Sequence, residues 1–169
     1  MQLFILDRIP GNAARMLADI HLRKMCMETA QILSAAAVNR QLVLPDHLPK
    51  AYNPAHPVIK ALNTQFKLNW CIKFNYALHQ EYFRRFKKFH AYNSLCDSYK
   101  ELLYADIPEK TDWSFARAFK NFTTGEPDIV SAYRAYYRFK KSIIRQWHYT
   151  NAEEPAWLKD DQGSGKPPQ

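Results

Sequence analysis

The chain has 169 residues, of which 47% are hydrophobic and 24% are charged, a composition typical of one globular domain with a buried core. Only 4 residues are glycine, which argues against a β-sandwich with many tight turns and against a glycine-rich nucleotide-binding fold. Lysine and arginine (24) outnumber aspartate and glutamate (16), so the formal net charge is +8. With 14% aromatic residues, this excess favours a polyanionic partner, nucleic acid before membrane. The alternative is that the charge serves only solubility.

The cysteines, the motif spacings and the apolar runs limit the cofactors and the cellular compartment that we expect. Three cysteines, Cys26, Cys71 and Cys96, lie far apart in apolar helical contexts, as buried thiols of a reducing cytosol do. Neither a CxxC nor an HExxH spacing is present, so we predict no metal site and no cofactor. No apolar run approaches the roughly 18 residues of a membrane span, and the start lacks the features of a signal peptide. We therefore expect a soluble cytoplasmic protein without membrane contact, located in the host cytoplasm if a phage encodes it.

The first third of the chain predicts one long helix between two irregular segments. The apolar run Leu3–Leu6 is an edge strand or an extended N-terminal arm, which the following Pro-Gly pair ends. Asn12 is a plausible N-cap for a helix from Ala13 to about Val38. Four prolines within residues 39–57 then forbid regular helix and indicate an ordered loop.

The rest of the chain also predicts helices. One begins after Pro57 and reaches residue 89, either unbroken or interrupted near Asn69. A shorter helix fits residues 94–103, and the last begins near residues 126–128 and ends at about Trp147. We expect a compact all-α domain of about five helices over residues 1–158, and a disordered tail over residues 159–169 that lacks an apolar anchor.

The first predicted helix carries four polar residues on its apolar side. At about 100° per residue they fall within the same arc as the core-facing residues, whereas Arg15, Asp19 and Arg23 point to solvent. Burying unpaired charge costs several kcal/mol, so the arc predicts a site in which a carboxylate does acid/base or cation-stabilising work beside a phosphate clamp or an amine nucleophile. A core helix with a satisfied ion pair is the alternative. The four residues are His21, Lys24, Glu28 and Gln31.

Two later helices are rich in basic and aromatic residues, which suits contact with DNA phosphates and with unpaired bases. The alternative is a solvated basic face whose aromatic residues pack inward. A histidine before Pro57 also lies where a helix N-terminus would bind an anion, or it only caps the turn. The predicted DNA-contacting residues are His56, Arg84, Arg85, Lys87, Lys88, Arg134, Arg138 and Lys141, together with Gln31 of the first helix.

Three segments carry a resemblance to a known family. The run Leu17-Ala18-Asp19-Ile20-His21-Leu22, followed by Glu28 seven residues after the histidine, resembles the active helix of the phage pyrimidine-dimer DNA glycosylase (endonuclease V) family. His56-Pro57 at a helix start and the run Glu81–Phe86 are similar to its second helix, and residues 133–141 resemble its aromatic C-terminal segment. The first helix is also similar to that of uncharacterised phage proteins with an Asp-x-His-x-x-Lys-Met-x-x-Glu-x-x-Gln pattern.

The resemblance implies a compact all-α protein that binds double-stranded DNA, kinks it and cleaves a glycosidic bond. In that family the N-terminal α-amine forms a Schiff base at the sugar, helped by the glutamate whose role Glu28 would take, and His21 would contact DNA. Family members expose a small residue after methionine removal, whereas this chain begins Met1-Gln2, and glutamine normally prevents that removal. Lys24, one turn before Glu28, is the amine that we nominate instead.

These observations predict a phage-type DNA glycosylase or glycosylase/lyase. Its catalytic residues would be Glu28, Lys24 and His21, without a metal. One alternative is a base-modifying enzyme of phage hypermodified-pyrimidine pathways. Another is a non-catalytic DNA-binding or anti-defence protein that uses only the basic helices.

Overall fold

The computed structural model describes residues 1–108 and 110–159, and within them every regular element is a helix, so the predicted all-α fold is confirmed. Three helices of 21, 22 and 15 residues form the frame. The helices are α1 (Pro10–Arg15), α2 (Asp19–Asn39), α3 (Pro57–Lys60), α4 (Gln65–Phe86), α5 (Cys96–Leu103), α6 (Ile129–Ile143) and α7 (Ala156–Lys159), and a 3₁₀ turn at Asn93–Leu95 precedes α5. Lys159, the predicted start of a disordered tail, ends α7, and residues 160–169 lie outside the described residues.

The predicted first helix is broken in two. Helix α1 starts at Pro10, which suits the first turn, so Asn12 lies inside it instead of capping it. The N-cap of α2 is Ala18, whose methyl side chain cannot accept a hydrogen bond from the free amides. The break is held from outside the segment, because the Arg85 guanidinium donates to the carbonyl oxygens of Arg15 and Leu17 at 2.8 and 2.7 Å.

The break in the second long segment lies earlier than Asn69. Helix α3 is a single turn capped by His56, whose Nδ1 accepts from the Val58 amide at 3.2 Å. Thr64 then caps α4, accepting from the Lys67 amide. At the other end, Lys87 adopts left-handed backbone with φ of 55°, which stops α4.

The last long helix begins where the sequence predicted and ends earlier. Asp128 is its N-cap and accepts from the amides of Val130 and Ser131. Helix α6 stops at Ile143, and the chain beyond it crosses the first turn of α2, where the Asp19 amide donates to the His148 carbonyl at 2.8 Å. Residues 147–151 therefore cover the N-terminal end of α2.

The first six residues belong to the core. They form neither helix nor strand, which excludes the edge strand, and Leu3 to Leu6 are at most 4% exposed. The Phe4 ring lies 4.7 Å from that of His21 and 5.2 Å from that of Tyr137, between α2 and α6. This packing brings the amino end of the chain against α2, beside the residues predicted to be catalytic.

Candidate active site

Glu28 is a nearly buried carboxylate in the third turn of α2, with 9% of its side chain exposed. Two amines approach the same oxygen. The Lys24 Nζ lies 3.2 Å from Oε1 across one helical turn, and the Met1 amino nitrogen lies 4.0 Å from it. We call these three groups the Glu28 cluster. In such a cluster the carboxylate can accept a proton from one ammonium, which leaves a neutral amine beside a second, charged one.

The two amines differ in their access to solvent. The Lys24 side chain is 60% exposed, which contradicts its predicted place in the buried arc; its long stem lets the charged end reach water. The Met1 side chain is only 2% exposed, although the residue as a whole is half-buried, so its exposed atoms belong to the main chain. The Lys24 amine is thus open to solvent, whereas the carboxylate beside it is nearly buried.

His56 lies within electrostatic range of the cluster. Its pKa is lowered, first because half-burial desolvates the imidazolium and second because the N-terminal ammonium repels it, while Glu28 acts in the opposite direction. The predicted anion site at this histidine has a structural alternative, since its Nδ1 already caps α3. Its neutral ring therefore borders the Glu28 cluster from the start of a different helix.

Two glutamines lie close in sequence to members of the Glu28 cluster. Gln2, next to Met1, is 8% exposed, and neither its amide nitrogen nor its amide oxygen has a hydrogen-bond partner. Gln31, one turn after Glu28, is half-buried. A buried amide without partners costs free energy unless something binds it, so Gln2 has hydrogen-bonding capacity that the folded chain leaves unused.

A polar cleft opens at Lys24. It has a volume of about 580 Å³ and combines two exposed cations of α2 with the segment after α6, so that an anionic group in the cleft would meet Arg23 and Lys24. Its lining consists of Asp19, Ile20, Arg23, Lys24, Gln146, His148 and Thr150.

His21 faces the core and not the cleft. Its ring lies against those of Phe4, Tyr137 and Trp147 and is 6% exposed. The Tyr137 hydroxyl accepts from the Ala18 amide, and it lies 3.1 Å from the His21 Nδ1, within hydrogen-bond distance. Burial, with repulsion from Lys140 and Lys24, lowers the His21 pKa to about 3. We therefore correct its predicted role: His21 is a neutral core residue in this structure, out of reach of DNA.

Arg85 is buried in a saturated network, contrary to its predicted place on the DNA-contacting face. It is 1% exposed and pairs with Glu81 at 2.6 Å and Asp19 at 3.0 Å, besides the two carbonyls at the end of α1. Asp19, predicted to face solvent, is itself 7% exposed because Arg85 and Thr150 bind it. We call Arg85, Asp19 and Glu81 the Arg85 network, and its role is structural.

The predicted cations of α6 bind their own chain. Arg134 donates to the Leu6 carbonyl, Arg138 donates to the Trp157 carbonyl through two nitrogens, and Lys141 lies 2.8 Å from a carboxylate oxygen of Glu154. All three are half-buried. These contacts fix the N-terminal segment and residues 154–158 onto α6, so the structure gives these cations a packing role.

Three of the predicted cations remain at the surface. Lys87 and Lys88, directly after α4, are exposed, and the Arg84 side chain is 47% exposed although it pairs with Glu81. The exposed Phe83 and Phe89 rings stack on each other beside them, with centroids 4.6 Å apart. This end of α4 is the part of the predicted basic surface that is available to a partner.

Comparison with family models, curated proteins and solved structures gave no significant match. Among the helices of the described residues, none is both long enough and apolar enough to cross a membrane.

The Met1 amine approaches Glu28, although the sequence favours Lys24 over the α-amine. The signal was present in the apolar run Leu3–Leu6, because a buried segment so close to the first residue must also hold the amine against the fold. The run does not say which side chain the amine meets, since that depends on how residues 1–6 pack between α2 and α6.

Proposed function

We propose that the protein is a DNA glycosylase/lyase whose reaction is centred on Glu28. The observation that carries this proposal is the approach of two amines to one oxygen of a nearly buried carboxylate, Lys24 at 3.2 Å and Met1 at 4.0 Å. The resemblance of the α2 sequence to a glycosylase active helix supports the same chemistry. The net charge of +8 suits a DNA substrate.

In this proposal Glu28 accepts a proton from the neighbouring ammonium and leaves a neutral amine. The amine nitrogen then forms a bond to the anomeric carbon of the sugar while the bond from that carbon to the base breaks, and the base leaves with the proton that Glu28 had accepted, which restores the carboxylate. A proton then moves from the bonded nitrogen to the ring oxygen, and opening of the sugar ring gives a protonated Schiff base. The Glu28 carboxylate, whose side chain is only 9% exposed, stabilises this cationic intermediate.

We assign the nucleophile to Lys24, which is the closer and more exposed of the two amines and lies at the edge of the polar cleft. The α-amine of Met1 is the competing assignment, supported by its own distance to Glu28. The proposed phosphate contacts are Arg23, which lines the cleft, and three surface cations at the end of α4, namely Arg84, Lys87 and Lys88. Gln31 and His56 are the proposed contacts nearer the base.

The test is reductive trapping with borohydride on duplex DNA that contains an abasic site or a pyrimidine dimer. The protein is first shown by mass spectrometry to begin at Met1. We expect a covalent adduct, and peptide mapping should place it on Lys24. The Lys24→Met variant should lose the adduct, whereas Lys60→Met, an exposed lysine of α3, should keep it. An adduct on the α-amine would reassign the nucleophile to Met1.

Glu28→Gln separates catalysis from binding. It should keep the DNA affinity within about threefold and remove turnover, because the amide preserves the shape but cannot accept the proton. If the wild-type protein binds DNA with the expected salt dependence yet never forms an adduct or product, the chain is a DNA-binding protein and the enzymatic proposal is wrong. If it does not bind DNA at all, the nucleic-acid partner is wrong too.

A further inference from the structure

Three side chains of the kind that bind transition metals meet between α2, the C-terminal half of α4 and the turn that follows it. One ligand atom each of Cys26, His79 and His90 lies within 4.8 Å of the other two. Cys26 and His79 are buried and His90 is half-buried. The sequence predicts no metal site, because the three residues have none of the short spacings that mark common zinc motifs.

His79 gives an independent reason to look for a ligand here. Its side chain is 2% exposed, and neither ring nitrogen has a hydrogen-bond partner. Leaving buried polar atoms unpaired is unfavourable, and buried groups in folded proteins rarely remain so. The neighbouring ring is that of His90, with centroids 5.5 Å apart. A cation between them would use the lone pair that the protein leaves unpartnered.

We propose that Cys26, His79 and His90 form a site for a zinc ion or a similar divalent transition-metal ion. Thiolate and imidazole ligands are the set that such ions prefer, and they are unsuited to magnesium or calcium. Around tetrahedral zinc, neighbouring ligand atoms lie about 3.3–3.6 Å apart, so the three groups would move together by at most about 1.5 Å. The fourth coordination position is left to a water molecule.

The protonation state of His79 suits metal binding, whereas Cys26 and His90 would have to change theirs. Burial and the nearby His90 lower the His79 pKa to about 4, so its ring is neutral and can bind a metal without losing a proton. Burial raises the Cys26 pKa to about 12, so a bound metal must displace the thiol proton to solvent. The His90 Nδ1 accepts from the Tyr92 amide at a long 3.2 Å, and ligation through Nε2 would move the ring proton to Nδ1 and give up that bond.

Cys96 lies close to the site but is not assigned to it. Its thiol donates to the Asn75 side-chain oxygen at 3.2 Å, and its proximity contributes to the raised pKa of Cys26. A serine in its place can make the same hydrogen bond. Cys96→Ser is therefore a matched control for Cys26→Ser: both remove a thiol from the same region, but only one removes a proposed ligand.

The site is separate from the Glu28 cluster. Cys26 and Glu28 are two residues apart on α2, so their side chains leave the helix about 200° apart. The ion would join α2 to the end of α4 and the turn at His90, and its role would be structural. Failure of the metal proposal would consequently leave the proposed glycosylase chemistry untouched, and the reverse also holds.

The experiment is a titration of the reduced, metal-free full-length protein with cobalt(II), which reports thiolate and imidazole ligands through its absorption spectrum. We expect saturable binding of one ion per chain, a thiolate-to-cobalt charge-transfer band and the visible bands of four-coordinate cobalt. Zinc should displace the cobalt and raise the midpoint of thermal unfolding. Absence of saturable binding by the wild-type protein would overturn the proposal.

The variants assign the ligands. Cys26→Ser should lose the charge-transfer band and Cys96→Ser should keep it. His90→Ala, in a half-buried turn where substitution leaves the helices intact, should weaken binding by more than the roughly 10–100-fold that loss of an outer hydrogen-bond partner costs. A band that survives in Cys26→Ser, or cobalt affinity that is unchanged in His90→Ala, would refute the assignment.

Discussion

Helix α2 contributes a carboxylate to each of two charge clusters, and these two carboxylates differ in how fully they are paired. In the Arg85 network, the guanidinium makes hydrogen bonds to two carboxylates and two carbonyls and is 1% exposed. In the Glu28 cluster, one amine is 60% exposed and the other is at the 4.0 Å limit of an ion pair. A saturated network has no capacity left for a ligand, whereas the Glu28 cluster can exchange a partner. The contrast separates architecture from candidate chemistry.

The largest expected effect concerns Arg85. Arg85→Leu removes one donor from two buried carboxylates and two carbonyls, although Glu81 keeps Arg84 and Asp19 keeps Thr150, and breaking a buried ion pair costs about 3–5 kcal/mol. Arg84→Leu, at the adjacent and 47% exposed position, should cost at most about 1 kcal/mol. Urea unfolding followed by circular dichroism measures both. Equal losses in the two variants would break the distinction between a structural network and a surface pair.

A second effect concerns acid. The His21 pKa is lowered from 6.5 to about 3, so the unfolded chain takes up this proton well before the folded one. His21 alone should therefore lower the free energy of unfolding by about 1.4 kcal/mol per pH unit below about pH 6.5, and His79, whose pKa is lowered to about 4, adds a similar loss. At lower pH, Asp19 and Glu81 add to this loss. Their pKa values are lowered in the folded protein, so each stabilises the fold until the pH falls far enough to protonate the folded carboxylate.

His21→Phe isolates this term. The substitution removes the titrating ring while keeping an aromatic side chain beside Phe4 and Trp147, so the slope between about pH 6.5 and about pH 5 should fall by about 1.4 kcal/mol per unit. His47→Gln, at an exposed histidine, is the control and should keep the wild-type slope. A wild-type slope in His21→Phe would mean that the acid sensitivity has another source.

The smallest expected effect is in the Glu28 cluster. A double-mutant cycle of Lys24→Met and Glu28→Gln should give a coupling energy below about 1 kcal/mol, because Lys24 is largely solvated. The same cycle on Arg85 and Asp19 should give several times more. Thermal unfolding of the four proteins of each cycle provides the values. A coupling above about 2 kcal/mol for Lys24 and Glu28 would make theirs a structural ion pair.

Local sequence signals located most helices but not their interruptions. The apolar period and Asp128 predicted the start of α6, and the aromatic run predicted the latter half of α4. The gap between α1 and α2 depends on Arg85, which lies 68 positions after Leu17. No sequence pattern near the gap therefore indicates it. The same arginine explains why Asp19 is buried although the helical wheel places it on the polar side.

The candidate site was predicted in part for the same reason. Periodicity correctly predicted that Glu28 is buried, because the carboxylate group lies close to its helix backbone. It failed for Lys24, whose four-carbon stem carries the charge away from the helix. Periodicity also failed to indicate that Arg134, Arg138 and Lys141 bind their own chain. Their partners lie in the N-terminal segment, in the irregular segment before α7 and within α7.

The buried N-terminal segment has a consequence for how the chain folds during synthesis. Leu3 to Leu6 are made well before their partners on α6, such as Arg134 at the Leu6 carbonyl, which lies 128 residues further along the chain. Until then an apolar stretch stays exposed, and such stretches favour aggregation. These native contacts can form only after α6 has been made, and slowing elongation should lengthen the time in which the nascent protein needs a chaperone.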